Sequence, residues 1–129
     1  MTGTGKTILV VDDEPSIARL LADLLALDGH AVETAANGAV ALAKLRARAY
    51  DVILSDLKMP ELDGAGLYRE VTRLDAALGR RFIFVTGSAL DPESRRSVEG
   101  LGVPILTKPF RVDTLRQMVQ HVLSGPVTE

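Results

Sequence analysis

The sequence predicts an α/β protein with a five-stranded parallel sheet and helices on both faces. Five short β-branched or apolar runs alternate along the chain with segments of helical length. Most of these runs are continuously apolar, which is typical of strands buried on both faces. The chain has 129 residues, of which 47% are hydrophobic and 25% charged, and this suits one globular domain. We therefore expect a single domain over residues 1–129, with its core at about 6–123.

The predicted strands also indicate their order in the sheet. The run AVETA alternates apolar and polar residues, as an edge strand does, whereas TILVV is uniformly apolar, as a central strand is. Right-handed crossovers between five strand and helix units then favour the flavodoxin-like order 2-1-3-4-5. The five runs are residues 7–11 (TILVV), 31–35 (AVETA), 52–55 (VILS), 82–86 (FIFVT) and 103–107 (VPILT).

Helices are expected after residues 13, 38 and 64, from residue 91, and from residue 112. Pro15 near the start of the first and Gly29 after its end are helix-boundary signals. The fourth helix has few apolar residues, so its packing should be the weakest. Apolar residues recur at helical spacing at Ile17, Leu20, Leu21, Leu24 and Leu25, at Leu67, Val71 and Leu74, and at Val112, Leu115, Val119, Val122 and Leu123.

Composition argues against several classes of function. The net charge is −2 and basic residues are scattered among acids, so we expect no nucleic-acid binding. No apolar run approaches the roughly 20 residues of a membrane span, and no signal peptide is evident, which favours a cytoplasmic location. Cysteine is absent, so disulfides and thiolate metal sites are excluded. The stretch GTGKT at residues 3–7 resembles part of a phosphate-binding loop, but it precedes a strand and lacks the first glycine of that motif, so we do not interpret it as one.

Polar residues lie at the carboxyl ends of four of the predicted strands. Asp12 and Asp13 follow the first, Asp56 the third, Thr86 ends the fourth and Lys108 follows the fifth. Ligands bind at the carboxyl ends of the strands in open parallel sheets, and strands 1 and 3 are neighbours in the expected order. Two unit charges about 4 Å apart repel by roughly 4 kcal/mol at an effective dielectric of about 20. The converging aspartates therefore predict a Mg²⁺ site, which needs only one or two carboxylates, waters and a phosphate oxygen.

The same residues suit phosphoryl transfer. A carboxylate can attack phosphorus and form an acyl phosphate, and most of the catalysis is positioning and electrostatic stabilisation. Asp56 is the best nucleophile because it stands alone on a central strand, while the adjacent pair Asp12 and Asp13 can hold the ion from the side. Lys108 can bind a phosphate oxygen as a point charge, and Thr86 adds a hydroxyl donor.

Four motifs, VVDDEP, LSDLKMPELDG, FVTGS and LTKPF, closely resemble the receiver domain of bacterial two-component response regulators. Each motif alone is weak, but four in this order and spacing are specific, and the resemblance covers residues 6–123. The run from residue 82 to residue 110 is more similar to receivers at the C-terminal end of hybrid histidine kinases than to those fused to DNA-binding domains.

The resemblance implies a role for each site residue. Asp56 would accept the phosphoryl group, Thr86 would be the switch hydroxyl and Lys108 the ion-pair partner of the phosphoryl oxygens. It also implies a cis peptide bond between Lys108 and Pro109. The implied ligands of Mg²⁺ are Asp13 and Asp56 directly, Asp12 through water, and the backbone carbonyl of Lys58.

The resemblance further implies a switch and not an enzyme with a separate substrate, limited to self-catalysed phosphorylation and autodephosphorylation. The phosphodonor would be a histidine kinase or phosphotransfer protein, and a downstream protein would bind the face formed by helix 4, strand 5 and helix 5. Ile105 stands where many members carry Tyr or Phe, so aromatic gating of Thr86 is not implied. Lys58 and Ser88 occupy positions that tune phosphoryl lifetime in the family.

Other interpretations of these residues remain open. A Mg²⁺-dependent phosphatase with an aspartate nucleophile would carry a second acid where Lys58 stands, and a phosphate-independent interaction module would bind no Mg²⁺. Asp12 or Asp13 alone could cap the first helix. His30 and His121 are expected on the surface, and Tyr68 and the phenylalanines in packing contacts.

Overall fold

The computed structural model describes residues 6–59, 61–87 and 92–124. Its strands form one sheet in the order β2-β1-β3-β4-β5 with every neighbouring pair parallel, which confirms the predicted fold class. The strands are β1 (Thr7–Val11), β2 (Ala31–Ala35), β3 (Val52–Asp56), β4 (Phe82–Gly87) and β5 (Ile105–Lys108).

Five helices connect or follow the strands, as predicted. The helices are α1 (Pro15–Leu27), α2 (Gly38–Ala47), α3 (Gly64–Leu74), α4 (Pro92–Val98) and α5 (Val112–Ser124). A short 3-10 helix, Ala76–Arg81, precedes β4 and was not predicted. The predicted start of the fourth helix at Asp91 lies outside the described residues, as does Ser88. No helix in the described ranges has both the length and the apolarity needed to cross a membrane.

The core has two halves, one on each face of the sheet. Leu9 and Val11 of β1 enter the cluster under α2 and α3, whereas Ile8 and Val10 enter the cluster under α1 and α5. Alternate residues of a strand point to opposite faces, so a uniformly apolar strand is buried on both. β2 lies at one edge and is only partly buried, as its alternating sequence predicted.

The boundary of β5 differs from the prediction, which placed this strand at residues 103–107. The observed strand is Ile105–Lys108. Pro104 contributes only its carbonyl, which accepts a hydrogen bond from the Phe84 N–H at 2.9 Å. Because proline has no N–H to donate, regular pairing begins after it.

Helical spacing does not decide burial at every apolar position. Leu20 and Leu74 are 48% and 55% exposed. The buried stripe of α1 runs through Ala18, Leu21 and Leu25, and Leu20 lies off this stripe, while α3 ends at Leu74. The predicted surface position of His30 is wrong: the residue is buried, and its Nδ1 accepts the Lys6 N–H at 3.1 Å, just before β1.

His121 is exposed, and Tyr68 packs edge-on against Phe82 and Phe84, as predicted. The ring centroids lie 5.3 and 6.1 Å from that of Tyr68. These aromatic contacts fix α3 against β4.

Gly64 brings the start of α3 against the end of β3. Its N–H donates to the Leu57 carbonyl at 3.0 Å, and the Asp63 side chain caps the helix by accepting the Gly66 N–H at 2.8 Å. A Cβ atom on Gly64 would lie 2.4 Å from the Asp56 carbonyl oxygen. Only glycine allows this approach, which fixes the backbone at Asp56.

Replacing Gly64 by alanine should therefore destabilise the domain. Helix propensity alone would favour alanine by about 1 kcal/mol, but overpacking against backbone costs about 1–3 kcal/mol, so we expect a net loss of about 1 kcal/mol in urea unfolding. Gly87→Ala is the matched control because a Cβ there meets no atom within 4 Å. Equal stability of the two variants would contradict the close approach.

Candidate functional site

Three carboxylates converge where β1 and β3 end. Val11 of β1 pairs with Ser55 of β3, so the next residues, Asp12 and Asp56, lie side by side at the carboxyl edge of the sheet. Asp13 joins them, and one carboxylate oxygen from each of the three residues lies within 4.8 Å of the others. The structure thus brings the three predicted acids together; we call them the acidic cluster.

Asp12 is the most deeply buried member of the acidic cluster, with 3% of its surface exposed. Its Oδ1 accepts the Glu14 N–H at 2.9 Å. Its Oδ2 is buried and accepts no hydrogen bond from the described residues; the Lys108 ammonium lies 3.6 Å away. The N-cap residue of α1 is Glu14, so capping does not explain the aspartate pair.

Lys108 reaches the cluster from β5, and Thr86 lies near the carboxyl end of β4, between β3 and β5 in the sheet. Thr86 is 3% exposed and pairs with Thr107, next to Lys108. Asp56 pairs with Val85, so Thr86 is one residue beyond the level of Asp56 on the adjacent strand. The Lys108 side chain is 23% exposed.

The peptide bond between Lys108 and Pro109 is cis, as the resemblance implied. Ile105, in place of the usual aromatic residue, pairs with Phe84 and packs against the core under α2 and α3. The side chain at this position of β5 is therefore aliphatic. It stands two residues before Thr107, which pairs with Thr86.

Asp56 is half-buried among the other charges, and its Oδ1 accepts the Lys58 N–H at 3.2 Å. Burial raises the pKa of Asp56 above its ordinary value, and the Asp12 carboxylate raises it further. Lys108 and the Lys58 N–H oppose this rise in pKa. Within the described residues, the ion pair of this cluster is that of Lys108 with Asp12, so three carboxylates share one paired ammonium there.

The residues present fit a hard divalent cation. The acidic cluster offers only oxygen donors, one of which is the buried Asp12 Oδ2 without a hydrogen bond from the described residues. Mg²⁺ prefers such carboxylate oxygens and completes its coordination with water and phosphate. The cluster could hold a metal ion of this class.

Ser55 is a contact of the site that sequence reasoning missed. Its side chain is fully buried and its hydroxyl donates to the Asp56 carbonyl at 3.0 Å. Together with the close approach of Gly64, this bond holds the peptide that follows Asp56. The sequence contained a signal, because Ser55 is the one polar residue between Val52 and Asp56.

A second polar group that sequence reasoning missed lies on the edge strand. Tyr50 is buried and its hydroxyl donates to Glu33 Oε1 at 2.6 Å; Arg48 and Lys44 also pair with Glu33. Burial and the bond to Glu33 raise the pKa of Tyr50 to about 12. Glu33 lies on β2, whereas Lys44 is on α2 and Arg48 and Tyr50 follow α2, so these contacts hold the edge strand to the body of the domain.

The parallel sheet with acids at its carboxyl edge defines an α/β protein with a candidate metal site, and the family follows from comparison. The sequence model of the response regulator receiver domain matches residues 8–120, so the chain belongs to this family. The resemblance noted in the sequence is confirmed.

Relatives include both kinases and regulators. The chain is 41% identical to the sensor histidine kinase RcsC of Salmonella typhimurium over 110 residues, which are 85% of this chain and 11% of that protein. It is 33% identical to the transcriptional regulatory protein GlrR of Escherichia coli over 124 residues, which are 95% of this chain and 28% of that protein. The chain thus spans a small part of these relatives.

Solved structures share the fold over nearly their full length. The signal receiver domain of a signal transduction histidine kinase from Syntrophus aciditrophicus has a TM-score of 0.86 and 31% identity, covering 97% of this chain and 96% of that one. The chemotaxis protein CheY4 of Vibrio cholerae has a TM-score of 0.82 and 32% identity, covering 93% and 100%.

Asp56→Asn should stabilise the domain against heat at neutral pH in the presence of a chelator. A pKa raised in the folded state means that folding disfavours the ionised form of Asp56. Its ionisation therefore costs stability as pH rises above about 3.9, the ordinary aspartate pKa. The gain in melting temperature should be present at pH 7 and shrink as pH falls toward that value.

Asp23→Asn, at an exposed position of α1 outside the acidic cluster, is the control for this experiment. Melting temperatures of the three proteins across the pH range decide the outcome. An Asp56→Asn protein that is less stable than wild type at pH 7, or a difference that does not depend on pH, would contradict the electrostatic account.

Proposed function

We propose that Asp56 accepts a phosphoryl group in a two-component phosphorelay, with Mg²⁺ bound by the acidic cluster. The observation that supports this most is the meeting of three carboxylate oxygens within 4.8 Å beside the Lys108 ammonium. The family of the chain, response regulator receiver domains, supports the same function. The proposed phosphodonor is a histidine kinase or phosphotransfer protein.

In the proposed reaction, a carboxylate oxygen of Asp56 attacks phosphorus and forms the new P–O bond. The bond from phosphorus to the donor breaks, and its electron pair leaves with the donor. The Lys58 N–H holds Asp56 Oδ1 at 3.2 Å, and the Ser55 hydroxyl holds the carbonyl of the same residue. These two contacts orient the nucleophile before the donor arrives.

The proposed metal ligands are Asp13 and Asp56 directly, Asp12 through water, and the Lys58 carbonyl. Mg²⁺, when bound, would offset the repulsion among the carboxylates and the charge on the transferring oxygens. Asp12 Oδ2 has the Lys108 ammonium as its cation neighbour at 3.6 Å. We infer that Lys108 exchanges this partner for a phosphoryl oxygen, which carries more negative charge.

The proposed response to phosphorylation starts at Thr86. Its hydroxyl, at the end of β4, would move toward the phosphoryl oxygens and shift a pre-existing conformational equilibrium. The downstream partner would read the face formed by α4, β5 and α5. α4 has seven residues, the fewest of the five α-helices. Among its described side chains, Val98 is the buried one. We therefore expect the local stability of α4 to be low.

This function requires no separate substrate. The phosphatase alternative needs a second acid where Lys58 stands, and Lys58 is exposed with its N–H bonded to Asp56. We propose that the chain catalyses only its own phosphorylation and autodephosphorylation. We further propose a single receiver domain over residues 1–129 with its core at about 6–123, in the cytoplasm and without nucleic-acid or membrane ligands.

Intact mass after incubation with acetyl phosphate tests the proposed function. Wild type should gain one phosphoryl group in Mg²⁺ and none in chelator, because the carboxylates repel an anionic donor without the cation. Asp56→Asn should gain none, and the exposed Asp23→Asn should behave as wild type. An adduct that persists in Asp56→Asn, or that forms equally in chelator, would contradict the assignment.

Thr86→Ala should separate phosphorylation from the response. We expect the phosphoryl adduct to form but the NMR shift changes in α4, β5 and α5 to be lost, because the variant lacks the hydroxyl that would move toward the phosphoryl oxygens. Thr107→Ala is the matched control, since Thr107 is the strand neighbour of Thr86 but is exposed. Shift changes in Thr86→Ala equal to those of wild type would rule out the switch role.

A further inference from the structure

A cavity lies at the opposite end of the sheet from the acidic cluster. Its volume is about 300 Å³, the lower end of the range for small-molecule sites, about 300–1,000 Å³. Lys6 precedes β1, Asp51 precedes β3, and Arg80 and Arg81 precede β4; all four line the cavity. These three strands are neighbours, so their amino ends bring the four charges together. We call this the basal cavity.

The described residues that line the basal cavity carry a net positive charge. They include three cations, those of Lys6, Arg80 and Arg81, and one carboxylate, that of Asp51. The C-terminal turn of α5 also lines it, and a helix C-terminus contributes only about half a negative charge. The cations therefore exceed the negative charge by more than one unit.

The basal cavity is partly ordered in advance. The Arg81 guanidinium donates to the Tyr50 carbonyl at 2.8 Å, and among the described residues its other N–H groups have no protein acceptor, so they can serve a ligand. Asp51 Oδ2 accepts the Thr7 N–H at 2.9 Å, so this carboxylate is already bonded to the backbone. In the described part of the chain, neither Lys6 nor Arg80 forms an ion pair with a carboxylate within 4.0 Å.

One wall of the basal cavity is apolar. Val122 and Leu123, in the last turn of α5, line it beside the charged residues named above and are only partly buried. A ligand that fills the cavity would place an anionic group on the cations and an apolar body on this wall. Inorganic phosphate alone would leave the apolar wall in contact with water.

We propose that the basal cavity binds a small organic anion, whose phosphate or carboxylate group contacts Arg80, Arg81 and Lys6 and whose apolar body packs on Val122 and Leu123. This site is separate from Asp56, since strands of five residues span about 16 Å between the two edges of the sheet. The proposal does not depend on the phosphoacceptor role of Asp56.

The test is an NMR titration of the Asp56→Asn chain without Mg²⁺, so that the acidic cluster does not take up phosphate. The probes are phenyl phosphate, benzoate and, as the neutral analogue, benzyl alcohol. We expect saturable amide shifts at Lys6, Arg80 and Leu123 with one or both anions and none with benzyl alcohol. Response to phenyl phosphate alone or to benzoate alone identifies the anionic group that the site takes.

Arg80→Gln should weaken binding of the anion about tenfold or more, because it removes a charge-assisted contact. Arg73→Gln is the control, since Arg73 is an exposed arginine of α3 outside the cavity, with 76% of its side chain accessible. Shifts that do not saturate, that benzyl alcohol reproduces, or that Arg80→Gln leaves unchanged would overturn the proposal. Shifts confined to residues near Lys108 would also overturn it.

Discussion

Repulsion among three carboxylates is the constraint on which the rest of the site depends. Parallel pairing of β1 with β3 brings the residues after Val11 and Ser55 to the same edge of the sheet, so the carboxylates of Asp12 and Asp56 lie close together. The apolar strands behind them are almost entirely buried, and this burial offsets the cost of placing like charges together. The fold thus holds a charge arrangement that would not persist in a flexible chain.

Within the described residues, the one ammonium that pairs with the acidic cluster, that of Lys108, does not balance its three charges. Lys108 comes from β5, with β4 between it and Asp56 in the sheet, and its ammonium lies beside Asp12. Burial raises the pKa of Asp56, and the neighbouring Asp12 carboxylate, which Lys108 does not fully offset, raises it further. A site in this condition responds strongly to a cation or to a change in the charge on Asp56, and perturbed carboxylates of this kind are typical of functional sites.

The parts of the structure that follow from periodicity could be predicted from sequence. The alternation of apolar runs with helix-length segments predicted the sheet, and the contrast between AVETA and TILVV helped to predict its order. The residues at the strand ends predicted the acidic cluster, because parallel topology brings those ends together. Contacts between distant segments could not be predicted in this way. The burial of His30 depends on the Lys6 N–H, and the exposure of Leu20 depends on which stripe of α1 meets the sheet. The basal cavity likewise combines residues that precede β1, β3 and β4 with residues of α5, and their local sequences carry no common motif.

Calorimetric titration with Mg²⁺ tests the central claim most directly, because it asks whether the acidic cluster binds the cation that relieves its repulsion. We expect one site in wild type, weakened about tenfold or more in Asp13→Asn, since loss of a second-shell group alone costs about 10–100-fold in metal affinity. The exposed Asp23→Asn should bind as wild type does. No binding by wild type, or equal binding by Asp13→Asn, would contradict the account.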